Sequence, residues 1–191
     1  MPRVSKDPEV RKQEILEAAI ILFYEKGYDK TNMADIASKI GVAQGLCYRY
    51  FPSKEFLFNA ALEAYAQSMV DSMAAYFNNN SLTLKQKLQQ MPSSIDYEQK
   101  GSSYYNAFHN ENAESKRIHD QLSLKVCELV TPFAAKAFKL AYENGEIDIP
   151  DYETAASFCT YGQLGIILND TLNAHEKTQR IQEQMSYYFR L

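Results

Sequence analysis

The chain has 191 residues, 46% of them hydrophobic, which is enough to bury a core and excludes a disordered chain. Its formal net charge of −4 is unevenly spread: residues 1–55 carry 9 Lys/Arg against 8 Asp/Glu, and the remainder 11 against 16. The first part is therefore nearly neutral, and any contact with a polyanion must come from a few placed cations rather than a strong field. No run of eighteen apolar residues is present and the N-terminus lacks an apolar leader core, so a cytoplasmic protein with no membrane contact is expected. Cys47, Cys127 and Cys159 are far apart and lack zinc spacing, so they read as small buried hydrophobes.

The pattern predicts an all-α chain. Asp7 followed by Pro8 starts the first helix as N-cap and first-turn proline. Ile15, Ala18, Ala19, Leu22 and Phe23 then mark one apolar face, and Gly27 ends it. Thr31 or Asn32 caps a second helix with Ile36, Ala37 and Ile40 as its stripe. Gly41 supplies the turn, Val42 plugs the corner, and a third helix runs from about Ala43 to Tyr50 with Cys47 and Phe51 inward. Pro52 stops it, and Ser53 caps a long fourth helix.

Past the Asn78–Ser81 loop a helix is expected over about Leu82 to Met91, and another over about Asp96 to His109. A long helix follows from Ala113 to Asn144, which Pro132 is expected to kink or split. An apolar helix from Asp151 to about Leu172 and a last one from Ala174 complete the chain.

Two short helices joined by a glycine turn, with polar and small side chains on the second, read as a DNA-binding helix-turn-helix. Ala43 and Gly45 keep the leading edge of the recognition helix thin for the major groove. Gln44 can bond adenine or guanine edges, Leu46 can meet a thymine methyl, and Arg49 can reach a guanine or a phosphate. Tyr48, Tyr50, Thr31 and Lys54 are placed for phosphates, Lys54 at a helix N-terminus. Tyr50 has a second reading, packing against the first helix.

The string RKQEILEAAIILFYEKGYDKTNMADIASKIGVAQGLCYRYFPSKEFL resembles the N-terminal domain of the TetR family of bacterial transcriptional regulators. IL-x-AA-x-x-LF, GY-x-x-T, IA, GV-x-x-G, Y-x-YF and SKE-x-L occur in the family's order and spacing, over about the first 60 residues. Leu46 replaces a small polar residue common there, and Cys47 a core leucine. The resemblance implies phosphate contacts for Tyr48, Thr31 and Lys54. It also implies a three-helix DNA-binding domain at 1–52 and a helical effector-binding and dimerisation domain at 53–191.

In that second domain, Phe158, Tyr161, Gly162, Gly165, Ile166 and Leu168 with Ile181, Met185, Tyr188 and Phe189 resemble a homodimer interface built as a four-helix bundle. A pocket is expected to be lined by Tyr104, Tyr105, Phe108, His109, Phe133, Phe138 and Tyr142. Aromatics at helical spacing also serve as ordinary core. His109 and His119 do not share a helical face by spacing, so no metal site is expected, and no cofactor. No nucleophile–base pair, phosphate loop or paired carboxylates point to an enzyme. The expected function is regulation of transcription on a double-stranded operator, by default repression relieved by a small molecule. An activator, or a DNA-binding or protein-interaction module without an effector, are the alternatives.

Overall fold

In the computed structural model, residues 6–90 and 113–191 are described. All regular elements among them are helices: α1 (Pro8–Lys26), α2 (Met33–Lys39), α3 (Gln44–Tyr50), α4 (Lys54–Phe77), α5 (Leu84–Gln89), α6 (Ala113–Glu143), α7 (Tyr152–Gly162), α8 (Leu164–Ile167) and α9 (Ala174–Phe189). The expected helix over Asp96–His109 lies outside the described residues. By compactness the chain forms two units, 1–65 with 101–122 and 66–100 with 123–191, so the division falls within α4 and within α6.

In the first unit, Asp7 caps α1 by accepting from the Glu9 amide at 2.9 Å, and Gly27 closes it at φ 84°. The expected apolar face of α1 is buried, together with Ile20, Ile21 and Tyr24, so other elements surround this helix on most sides. The cap of α2 is Asn32. Its side chain accepts from the Asp35 amide at 2.9 Å, and the Asp35 carboxylate accepts from the Asn32 amide at 3.0 Å. This reciprocal pair satisfies two amides that the helix itself leaves open. Gly41 adopts φ 68° at the turn, a conformation that costs a residue with a Cβ. Val42 packs half-buried against the core of this unit. Ser53 begins α4 by accepting from the Phe56 amide at 3.1 Å.

The second unit is built on Leu84, Leu88, Ala134, Ala137, Phe138, Ala141, Ile147, Ala155, Ala156, Cys159 and Phe189. Thr83 and Gln86 form a capping box on α5, and the Glu146 carboxylate also accepts from the Leu84 amide at 2.6 Å. Lys87 is buried, and its ammonium donates to the Phe77 carbonyl at 2.8 Å.

Two expectations about helices are corrected. Pro132 does not split α6, which runs unbroken from Ala113 to Glu143. The carbonyl that a proline at this position leaves without its helical donor belongs to Glu128, an exposed residue. Around the proline, the Thr131 hydroxyl donates to the Cys127 carbonyl at 2.6 Å and lies 2.7 Å from the Thr160 hydroxyl, tying α6 to α7. The helix expected to run to Leu172 instead breaks after Gly162 and ends at Ile167. There the Asn169 side chain accepts from both the amide and the hydroxyl of Thr171, at 2.9 and 2.7 Å. That side-chain turn competes with the helical ladder for backbone donors.

Candidate nucleic-acid interface

Helix α3 and the first residue of α4 carry most of the expected contact residues, Gln44, Gly45, Leu46, Tyr48, Arg49, Tyr50 and Lys54. The burial of Cys47 anchors α3, the one residue of that helix that is fully inside. Burial raises its thiol pKa, so it acts as a hydrophobic pin. Pinning one face turns the others outward. Ala43, Gln44, Gly45, Tyr48 and Arg49 are exposed, Tyr48 at 47%. A Cβ built at Gly45 would meet nothing within 4 Å, so this edge is slim and open. Leu46 and Tyr50 are half-buried, and Tyr50 packs on the core of the unit, in line with its packing reading.

Thr31 is the correction in this set. It is 0% exposed, and its hydroxyl lies 2.8 Å from the Gly27 carbonyl and 3.1 Å from the Leu22 carbonyl. The side chain therefore offers no surface to a phosphate. Its part is to fasten the α1–α2 turn to the end of α1. Sequence spacing placed the residue at the correct turn, but the direction of the hydroxyl depends on how the turn closes.

Lys54 is half-buried and its ammonium is already engaged. It donates to the Tyr28 carbonyl at 2.9 Å and sits 4.2 Å above the Tyr28 ring. Several other cations of the unit are tied to carboxylates: Lys26 to Asp35 at 3.7 Å, Lys39 to Glu25 at 3.8 Å, Arg11 to Glu14 at 2.6 Å, and Lys6 to Glu14. Arg49 makes no ion pair among the described residues. Tyr28, which the sequence reading passed over, is the residue that holds Lys54. The signal available was its place directly after Gly27 in the turn.

In the second unit, a groove of about 1060 Å³ runs between α7–α8 and α9, lined by Phe158, Gly162, Ile166, Met185, Tyr187 and Tyr188 among others. Phe158 is 64% exposed and stacks on Tyr188 with ring centroids 5.7 Å apart. Phe189 turns the other way, into the core, against Phe138 at 4.7 Å. Of the residues expected to line a pocket, Tyr104, Tyr105, Phe108 and His109 lie outside the described residues. Phe133 is half-buried, Phe138 is core, and Tyr142 is exposed. None of these three lines the groove.

Residues 15–61 match the profile of bacterial regulatory proteins of the tetR family. Nucleoid occlusion factor SlmA of Haemophilus influenzae is 28% identical over 101 residues, covering 52% of this chain and 46% of its own. The uncharacterized HTH-type transcriptional regulator YvdT of Bacillus subtilis is 45% identical over 58 residues, 30% of each chain. The chain thus spans less than half the length of these curated relatives. A solved structure assigned to the TetR family, from Mesorhizobium loti, superposes with a TM-score of 0.73 at 21% identity, covering 97% of this chain and 98% of that one. Among the described residues no helix is long and apolar enough to cross a membrane. The chain therefore carries a TetR-family N-terminal domain at residues 15–61, on a fold that is that of TetR-family regulators along nearly its whole length.

Proposed function

We propose that this chain regulates transcription by binding a double-stranded operator as a homodimer, and that it represses until a small molecule releases it. The observation that carries the reading is α3, with one buried residue and Ala43, Gln44, Gly45, Tyr48 and Arg49 exposed along its outer side. Gln44 and Arg49 supply hydrogen bonds to base edges, Leu46 an apolar contact, and Tyr48 and Lys54 contacts to phosphates. Thr31 is left out of the contacts and kept as the residue that sets the turn. A head of near-neutral charge gains affinity by pairing, since two heads on two half-sites act together. A second copy of the chain is the occupant of the groove beside Phe158, Tyr187 and Tyr188, whose exposed aromatic surface a symmetric partner would cover.

Release follows from unequal affinity of the small molecule for two arrangements of the chain. Helix α4 is the element to carry the change, since its first half belongs to one compact unit and its second half to the other. On this reading the DNA-binding and effector-binding parts divide near residue 52. The test is electrophoretic mobility shift on DNA upstream of the protein's own gene, across a range of salt. A sequence-preferring, salt-sensitive complex is expected, and its absence on every operator tried would overturn the reading.

The likeness to a nucleoid occlusion factor favours a second reading, a DNA-bound module that works through proteins rather than a small effector. Thermal-shift screening separates the two. Stabilisation by a compound that also dissociates the DNA complex supports the first, and no stabilisation across a broad library supports the second.

A further inference from the structure

We infer that Tyr28 is a positioning residue for DNA binding, holding the Lys54 ammonium in place for a phosphate before DNA arrives. The inference rests on the proposed Lys54–phosphate contact and adds the device that makes it effective. The Tyr28 ring is itself held by two neighbours: it stacks on Phe23 with centroids 5.6 Å apart and makes an edge-to-face contact with Phe58 at 5.1 Å. The Lys54 ammonium lies over this ring, 4.2 Å from its centroid. The carbonyl of the same residue takes one ammonium proton at 2.9 Å.

The turn that carries Tyr28 is rigid for separate reasons. Thr31 binds the Gly27 and Leu22 carbonyls from inside, and the Thr31 amide donates to the Tyr28 carbonyl at 3.3 Å. A free lysine samples many rotamers and loses that freedom on meeting a phosphate. Lys54 has already lost most of it, through contacts inside its own compact unit. An ammonium has three donors, so two remain for phosphate oxygens after Tyr28 has taken one. Neither the ring nor the carbonyl opposes the positive charge: both favour it. The pairing also joins the first residue of α4 to the α1–α2 turn, so a displacement of α4 would withdraw the cation and disturb the turn together.

The experiment is a double-mutant cycle on operator affinity with Tyr28→Leu, Tyr28→Phe and Lys54→Ala in the full-length protein, with melting temperatures measured alongside. Lys54→Ala should make the salt dependence shallower by about one unit per head. An unchanged slope removes Lys54 from the phosphates and sinks the underlying contact. Given the shallower slope, Tyr28→Leu should weaken binding about three- to tenfold, Tyr28→Phe should restore it, and adding Tyr28→Leu to Lys54→Ala should cost little more than Lys54→Ala alone. Losses that multiply would overturn the positioning role while leaving the phosphate contact intact. A measurement on the unmutated, DNA-free protein covers the case in which Tyr28→Leu does not fold. Nuclear magnetic resonance of selectively labelled lysine should show the Lys54 Cε protons shifted upfield by the ring, and unshifted protons would equally overturn the inference.

Discussion

Lys87 is only 4% exposed and its ammonium donates to the Phe77 carbonyl at 2.8 Å, so a lysine of α5 closes the C-terminus of α4. Cations suit helix C-termini, where unsatisfied carbonyls concentrate negative partial charge. Removing the side chain leaves that carbonyl without its partner, and Lys87→Ala should lower stability by about 1–3 kcal/mol in urea denaturation.

The same lysine gives a pH signature. Burial pushes its pKa below the ordinary 10.5, with the Glu146 carboxylate opposing the shift. Between the lowered folded value and 10.5, the unfolded chain holds a proton that the folded chain has released. Stability therefore rises with pH through that window, while below it the cost of the buried charge is constant. Lys87→Met should flatten this alkaline rise, as read from melting temperatures between pH 8 and 10.5.

Thr31→Val keeps the shape of the residue but removes the hydroxyl proton that the Gly27 and Leu22 carbonyls share. It should destabilise the first unit by about 1–3 kcal/mol. The salt slope of operator binding by the folded fraction should stay as in the wild type. A shallower slope would return Thr31 to the phosphates.

For base reading, Gln44→Ala should cost about 1–3 kcal/mol on the preferred operator and relax preference at one base pair per half-site. Binding of a panel of single-base operator variants measures this. A uniform loss across the panel would assign Gln44 to the backbone instead.

Phe158→Glu places a charge on the exposed aromatic face beside Tyr188. Sedimentation should show a monomer with unchanged helical circular dichroism, and operator affinity should fall by at least the hundredfold that pairing commonly supplies. A dimer that survives this change would move the interface elsewhere.

Burial pushes the Cys127 and Cys159 thiols up to about 11, which keeps them protonated and poorly nucleophilic at neutral pH. Iodoacetamide at pH 8 should modify neither while the protein is folded, and both after denaturation. Ready native labelling would contradict their burial.

What the sequence disclosed is the part written locally. Asp7 with Pro8, a cap at Thr31 or Asn32, and Gly41 each act on atoms within a few positions, so residue type and spacing suffice to place α1, α2 and the turn. The outward set on α3 was legible for a related reason: a single buried position, Cys47, fixes the rotation of a seven-residue helix. What stayed hidden depends on contacts made elsewhere. Pro132 lies inside α6 on an exposed side of the helix, with Glu128 one turn before it also exposed. Thr31 turns inward because α1 ends where its hydroxyl can reach two carbonyls. Lys87 is buried against a residue ten positions away, and a lysine in a polar-looking segment gives no hint of that. Asn169 ends a helix that its apolar neighbours would have continued.

Helix α5 is six residues long, too short to persist alone in water. Its first amide is held by Glu146, 62 positions further along the chain. Closing so long a loop carries an entropic cost that must be met before that bond can form. The helix is therefore expected to form only once the α6–α7 connection that carries Glu146 is in place. In hydrogen exchange, its amides should open together with the α6–α7 connection rather than with α4, although α4 is its neighbour in the chain.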